Sequence, residues 1–260
     1  MRYISRHASA RGFFRLLYNW DSPDVRREVM DMDFRSPVGL GPGFDTDAQY
    51  YNAVGSAACA FAIIGPLSFT RSGGVRAAVT ALRSAPANNL IIGLDIVKAP
   101  GSVSEDDIAR DYLDAFDYSY DFTDFTVLDF TDEKSGPVND HAFIKAVTDP
   151  LLEARMAYDS YRPIVLRLSS ILRKDELWHI LDYALMNSID GVMVSGEELI
   201  KQTVEFSKGR LPVIAEGRIG VPSRARDLFD AGASLLAVQT SPTRFKPGLQ
   251  KAILKSLKKK

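Results

Sequence analysis

Cysteine and histidine are scarce in this chain. The one cysteine among 260 residues, Cys59, cannot close an internal disulfide, which excludes a disulfide-built scaffold and fits a reducing compartment. His7, His141 and His179 lie far apart, which disfavours a histidine-rich metal site. A triad built on His141 or His179 stays open, but no Gly-x-Ser-x-Gly nucleophile turn accompanies them. No apolar run reaches the roughly 18–20 residues that a membrane span needs. An excess of one charge is also missing: Lys+Arg 32 against Asp+Glu 33 gives -1, so nothing global points to nucleic acid. Hydrophobic residues at 46% and charged residues at 25% are ordinary for a globular protein, which disfavours disorder and coiled coil.

What the chain does have is alternation. Short β-rich runs fall at Val38–Leu40, Ala60–Ile64, Leu90–Ile96, Asp124–Phe130, Pro163–Leu168, Gly191–Ser195, Leu211–Ala215 and Ser234–Gln239. A segment with helical spacing follows each. One opens at Ser104 with a capping pattern, Ser-Glu-Asp-Asp, ahead of Ile108, Tyr112 and Phe116. The other helices start near Ala48, Gly74, Asp140, Lys174, Glu197, Pro222 and Pro247, the two prolines suiting a first helical turn. Runs such as IIGLDI and GVMVS are continuously apolar, as parallel strands covered on both faces are. Eight βα units in about 250 residues predict a parallel eight-stranded (β/α)8 TIM barrel of the α/β class, with a doubly wound sheet as runner-up. The expected organisation is an N-terminal extension over residues 1–30, holding a short helix, and a barrel over 31–260.

Residues 1–20 carry Arg2, Arg6, Arg11 and Arg15 and no acidic residue, with Phe13, Phe14, Leu17 and Tyr18 as an apolar helical face. Two readings stand: a membrane-surface helix or targeting peptide, and a helix packed on the bottom of the barrel. The closing KSLKKK reads as a solvated, frayed tail.

In such a barrel the reacting groups sit at the C-terminal ends of the strands. The last two loops, EGRIG and Gln239-Thr240-Ser241, combine glycines, Arg218 and hydroxyls, a composition suited to a phosphate group. The alternative is that the glycines only make tight turns and Arg218 pairs with Glu216. Asp95 and Asp129 close successive strands, with Glu216 a third acid. They are candidates for a Mg²⁺ site or an acid/base pair, or for a structural network neutralised by Arg167.

These stretches resemble the dihydroorotate dehydrogenases, especially the single-chain, quinone-linked class. SPVGLGPGFDTDAQYYNAVGSAACAFAIIGPLSF is similar to their NPxGLAAGxDKNGE…GTVT opening, and GRLPVIAEGRIGVPSRARDLFDAGASLLAVQTS to their phosphate-loop ending. IDGVMVSG and RPIVLRLS resemble two intervening blocks, and the order and spacing agree from about Phe34 to the C-terminus. The resemblance implies an FMN-bearing TIM barrel that oxidises dihydroorotate to orotate in pyrimidine biosynthesis. It fits a cytoplasmic protein, with peripheral membrane contact through residues 1–20 as one of the two readings of that segment; the expected partner, from the last two loops, is a small molecule with a phosphate group, and the charge balance points to no nucleic acid. Carried over by position, Gly41, Pro42 and Gly43 match the flavin-contacting turn, Gly217 and Arg218 the phosphate glycine pair, and Thr240 and Ser241 the second phosphate loop. Gly65 keeps the glycine of the GTVT block. Thr46 stands where the family has lysine, Asp95 and Asp129 where it has asparagines, Arg167 where it has the flavin-contacting lysine, and Ser195 keeps a hydroxyl. Asp132 falls at or near the position of the catalytic base, and no metal is implied. The NRxGFNN and GGLSG segments are missing, so the chain reads as a shortened, divergent member.

With the asparagines gone, two carboxylates face a cofactor and a substrate that are themselves anionic. At ~4 Å two like charges repel by roughly 4 kcal/mol at an effective dielectric of 20. Either the carboxylates protonate with raised pKa or a cation offsets them. Three functions follow for test: a working dihydroorotate dehydrogenase, a phosphate-ligand barrel with a different substrate, and a non-catalytic relative, a pseudoenzyme kept for binding.

Overall fold

The computed structural model describes residues 1–70, 73–85, 90–131 and 140–257. Eight parallel strands, β3 (Val38–Asp45), β4 (Phe61–Leu67), β5 (Ile91–Ile96), β6 (Phe125–Phe130), β7 (Ile164–Leu168), β8 (Gly191–Ser195), β9 (Val213–Gly217) and β10 (Leu235–Val238), close in sequence order, β10 pairing back onto β3. The closed ring is the expected (β/α)8 barrel and leaves no place for a doubly wound sheet.

Helices α3 (Tyr51–Val54), α4 (Gly74–Ser84), α5 (Glu105–Ser119), α6 (His141–Arg155), α7 (Lys174–Met186), α8 (Glu197–Ser207), α9 (Pro222–Asp230) and α10 (Pro247–Leu257) follow the eight strands in turn. Their starts obey local chemistry. At α5 the Ser104 hydroxyl accepts the Asp107 backbone N–H at 3.2 Å, while Ile108, Tyr112 and Phe116 turn inward. At α6 Asp140 accepts the Ala142 N–H at 2.8 Å. Strand residues alternate: Leu94, Leu128, Leu166 and Val192 face the helices, while Phe61, Phe125, Val165, Met193 and Ile214 fill the barrel. Both faces are apolar, which is why the strands read as unbroken hydrophobic runs.

A two-stranded antiparallel hairpin, β1 (Arg27–Val29) and β2 (Met32–Phe34), plugs the N-terminal end, placing Val29 and Phe34 in the same cluster as Phe61 and Phe125. Its turn is Met30-Asp31, with φ of 55° and 56°, in place of the Asn-Gly or Asp-Gly that announces such a turn in a sequence. The residues that the sequence reading divided at 30 and 31 therefore sit in one hairpin.

The N-terminal residues form two helices, α1 (Arg2–Arg6) and α2 (Ala8–Tyr18). They pack against α3 and α10 on the barrel's flank, with Lys251 Nζ donating to the Leu17 carbonyl at 3.1 Å. Phe14 and Tyr18 are half-buried, whereas Phe13 (66% exposed) and Leu16 (79%) face outward. The helix thus leaves part of its apolar face uncovered, while Arg15 and Asn19 at its end line a cavity with Ala60, Leu90 and Asp124 at the N-terminal ends of the strands. Among the described residues no helix is long and apolar enough to cross a membrane.

The barrel interior has no spare room at Gly93, where a Cβ would lie 2.4 Å from the Phe125 ring. Gly93→Val is expected to destabilise the protein by about 1–3 kcal/mol through overpacking. Urea unfolding checks this, and an unchanged midpoint would show that the Phe125 ring can move aside.

Candidate functional site

The same alternation that fills the barrel with hydrophobic residues brings a polar layer to its C-terminal mouth. Asp95 ends β5 two residues beyond Gly93, Asp129 follows Val127 on β6, Arg167 follows Val165 on β7, and Glu216 follows Ile214 on β9. Arg167 is the hub. Its Nη1 meets Asp129 Oδ2 at 2.5 Å and Asp95 Oδ2 at 3.2 Å, its Nη2 meets Glu216 Oε2 at 3.0 Å, and its Nε lies 3.1 Å from both Glu216 oxygens. Thr131 adds its backbone N–H and hydroxyl to Asp129 Oδ1 at 2.8 and 2.6 Å, and Gln239 Nε2 donates to Glu216 at 2.9 Å.

Three carboxylates around one guanidinium leave an excess of negative charge, which favours protonation. Burial of Asp95, which is 0% exposed, pushes its carboxyl well above the ordinary carboxylate range; Asp129 and Glu216 add to the rise and Arg167 offsets only part of it. Burial works against the Arg167 charge, but the three acids outweigh it and raise its pKa above the usual arginine value. The raised pKa favours the protonated form of Asp95, whose Oδ1 is buried and has no hydrogen-bond partner. Gly65 makes this packing feasible: its φ is +136°, and a Cβ there would lie 2.6 Å from the Asp95 carbonyl oxygen. Both remedies for the like-charge repulsion, a raised pKa and an offsetting cation, thus occur together.

Two cavities open onto this mouth and share Pro42. The first, about 780 Å³, lies between the loops after β9 and β10 and is lined by Arg218, Gly220, Thr240, Ser241, Arg244 and Lys246 among others. No acidic side chain lines it, and Arg218, Arg244 and Lys246 have no ion-pair partner among the described residues. Arg218 therefore does not pair with Glu216, which is held by Arg167 and Gln239 instead. The second cavity, about 700 Å³, lies over β3–β6, with Gly43, Pro66, Lys98, Asp129, Thr131 and Arg167 on its walls.

The sequence-expected residues divide accordingly. Pro42, Gly43, Asp129, Arg167, Arg218, Thr240 and Ser241 line the cavities. Gly217 closes β9 beside the first cavity, and Ser195 stands level with Glu216 in the register of β8 and β9. Gly41 packs against Ala237 of β10 and lines neither cavity, and Asp95 lies beneath the second. Thr46 is exposed, because Asp45 turns the chain there by accepting the backbone N–H groups of Gln49, Tyr50 and Tyr51 at 2.8 Å each. Asp132 lies outside the described residues. No cluster of acids, histidines and cysteines suited to a metal occurs among the described residues; between Asp95, Asp129 and Glu216 sits the Arg167 guanidinium. Sequence reasoning missed Lys98, Arg244 and Lys246. The last two were legible as the basic residues of TRFKP, between the final strand and the Pro247 helix start.

The fold and site define a (β/α)8 barrel with a cationic cavity at its last two loops. No family profile matches the chain. It is 24% identical to the quinone-dependent dihydroorotate dehydrogenase of Christiangramia forsetii across 97% of this chain and 90% of that protein. It is 23% identical to the enzyme of Vibrio parahaemolyticus across 93% and 90%. The first alignment runs over 310 positions, more than the whole chain, so that relative carries internal segments absent here. Crystal structures of the Eimeria tenella dihydroorotate dehydrogenase share the fold: TM-score 0.79 for its ferulenol complex, with 16% identity over 96% of this chain and 90% of that one, and 0.80 for the ligand-free form. The chain thus resembles the quinone-linked dihydroorotate dehydrogenases along nearly its whole length, at about a quarter sequence identity.

Because the folded state keeps a proton on Asp95 that the unfolded chain releases above about pH 4, this group makes stability fall as pH rises above that value. Asp95→Asn supplies the neutral isostere permanently. Its unfolding midpoint is expected to gain on the parent's between pH 4.5 and 8, in a series of urea melts. Parallel curves would show that Asp95 is ionised in the fold.

Proposed function

We propose that this chain is a flavoprotein of the dihydroorotate dehydrogenase type, holding FMN with its phosphate in the cavity between the β9 and β10 loops. The observation that carries the proposal is the set of unpaired cations, Arg218, Arg244 and Lys246, around that cavity, in a chain whose relatives are dihydroorotate dehydrogenases. The residues present suit the group. At the phosphate end, Gly217 and Gly220 have open space where a Cβ would stand, so the backbone can approach an anion, and Thr240 and Ser241 add hydroxyls. At the ring end, Pro42 is the wall that joins the two cavities, and Gly43 lines the second. Asp95 occupies the place of an asparagine, and its raised pKa favours the uncharged acid, which lessens repulsion of a reduced flavin.

Bound FMN supplies a hydride acceptor, which in this family takes the hydride of dihydroorotate. The chain's own residues hold the charge balance around it. Arg167 keeps Asp129 and Glu216 neutralised, and Thr131 fixes the orientation of the Asp129 carboxylate. Asp132, next in sequence to Thr131, is the candidate proton acceptor.

One observation favours a second reading, a phosphate-ligand barrel that does not oxidise dihydroorotate. The cations of the second cavity are already engaged: Arg167 by three carboxylates, and Lys98 by the Ser102 carbonyl at 2.9 Å. An anionic substrate meets Asp129 there, and Lys98, held by a neutral carbonyl, is the one lining cation without a carboxylate partner among the described residues.

The visible absorption spectrum of the purified protein, before and after adding FMN, separates these outcomes. A one-to-one flavin band that dihydroorotate bleaches without oxygen supports the first reading, and a band that it leaves unchanged supports the second. A protein that takes up no FMN overturns the flavoprotein proposal. Arg218→Glu is expected to weaken FMN binding roughly ten- to hundred-fold, and unchanged affinity would remove this cavity as the phosphate site.

A further inference from the structure

The second cavity, over β3–β6, holds one cation that no acid engages among the described residues. Arg167 on its wall is shared by three carboxylates, whereas Lys98 meets the Ser102 carbonyl at 2.9 Å. An ammonium carries three N–H donors, and this contact uses one of them. The backbone on both sides of Lys98 is anchored: the Val97 N–H donates to the Leu67 carbonyl at 2.9 Å, and the Ala99 N–H to Asp111 Oδ2 at 2.8 Å. Asp111 belongs to α5, and its neighbour Tyr112 donates its hydroxyl to the Asp129 carbonyl at 2.7 Å. One helix thus fixes both the loop of Lys98 and the strand end that carries Asp129. A long side chain on a fixed backbone, held at its tip by a neutral acceptor, can turn to an anion without any change in the loop. A charge-assisted bond to a carboxylate is also about twice as strong as one to a carbonyl. The other walls suit a small ring: Pro42, Pro66, Val97 and Pro100 supply apolar surface, and the volume of about 700 Å³ lies in the small-ligand range.

We propose that Lys98 is the specificity residue of this cavity, its ammonium taking the carboxylate of a small ring compound whose N–H groups face Asp129. The inference rests on the reading of the second cavity as the place of the reacting ring, and it names the residue that selects a carboxylate there. Asp129 is suited to its part, since Arg167 balances its charge and leaves it an acceptor.

Calorimetric titration of the full chain with orotate and with uracil, as purified and with FMN added, tests the proposal. The two compounds share one ring and differ by the carboxylate. Orotate is expected to bind about twenty-fold more tightly than uracil. Lys98→Gln keeps a donor for the Ser102 carbonyl and removes the charge. It is expected to bring orotate down to the level of uracil, with uracil affinity and the urea midpoint unchanged, and Lys98→Arg to keep most of the preference. A preference that survives in Lys98→Gln, or a parent that binds both rings equally, overturns the assignment. So does equal weakening of both ligands with a lowered urea midpoint, the mark of a structural role. A parent that takes up FMN and binds neither ring overturns the assignment and leaves the flavoprotein reading standing. A parent that takes up no FMN yet prefers orotate through Lys98 overturns that reading and leaves the assignment.

Discussion

The mouth of this barrel depends on one guanidinium. Arg167 is 11% exposed, yet it is bound by Asp95, Asp129 and Glu216, which arrive from three other strands. None of these carboxylates could stay buried and charged alone, since desolvating an ion costs several kcal/mol unless a partner compensates. The arginine fork has the shape for three partners, because its Nη1 serves two acids on one side while Nε and Nη2 together take Glu216 on the other. The raised pKa of Asp95 eases the excess of negative charge that one guanidinium leaves among three acids.

This arrangement divides the top of the barrel electrically. Negative groups sit on the strands, deep and neutralised, while the unpaired positive groups stand on the loops after β9 and β10. An anionic ligand is therefore drawn to one side of the mouth. Pro42 is the wall common to the two cavities, so a molecule anchored by phosphate in the first can reach over the Arg167 network in the second. The engaged Arg167 itself has little positive charge left to meet a carboxylate substrate.

Much of this was legible in the sequence. The eight strands stand out as unbroken apolar runs because both barrel faces are buried, and the α5 start follows from Ser104 and its first-turn acids. Arg167, Asp95, Asp129 and Glu216 could each be placed at a strand end, but strand ends give no side-chain distances. That Arg167 bridges all three acids, leaving Arg218 unpaired, is a property of barrel closure. Thr46 illustrates the limit of transferring a position by motif: the Asp45 carboxylate tightens the turn and leaves Thr46 outside. The β1–β2 hairpin escaped because Met30-Asp31 lacks turn chemistry.

Replacing the hub tests the role of Arg167 most directly. Arg167→Met keeps the length of the side chain and removes its charge, leaving Asp129 and Glu216 buried beside Asp95 with no cation. Equilibrium urea unfolding at neutral pH is predicted to show a loss of about 3–5 kcal/mol, the usual consequence of removing one partner from a buried ion pair. A variant within about 1 kcal/mol of the parent would contradict it, because the three acids would then owe nothing to Arg167.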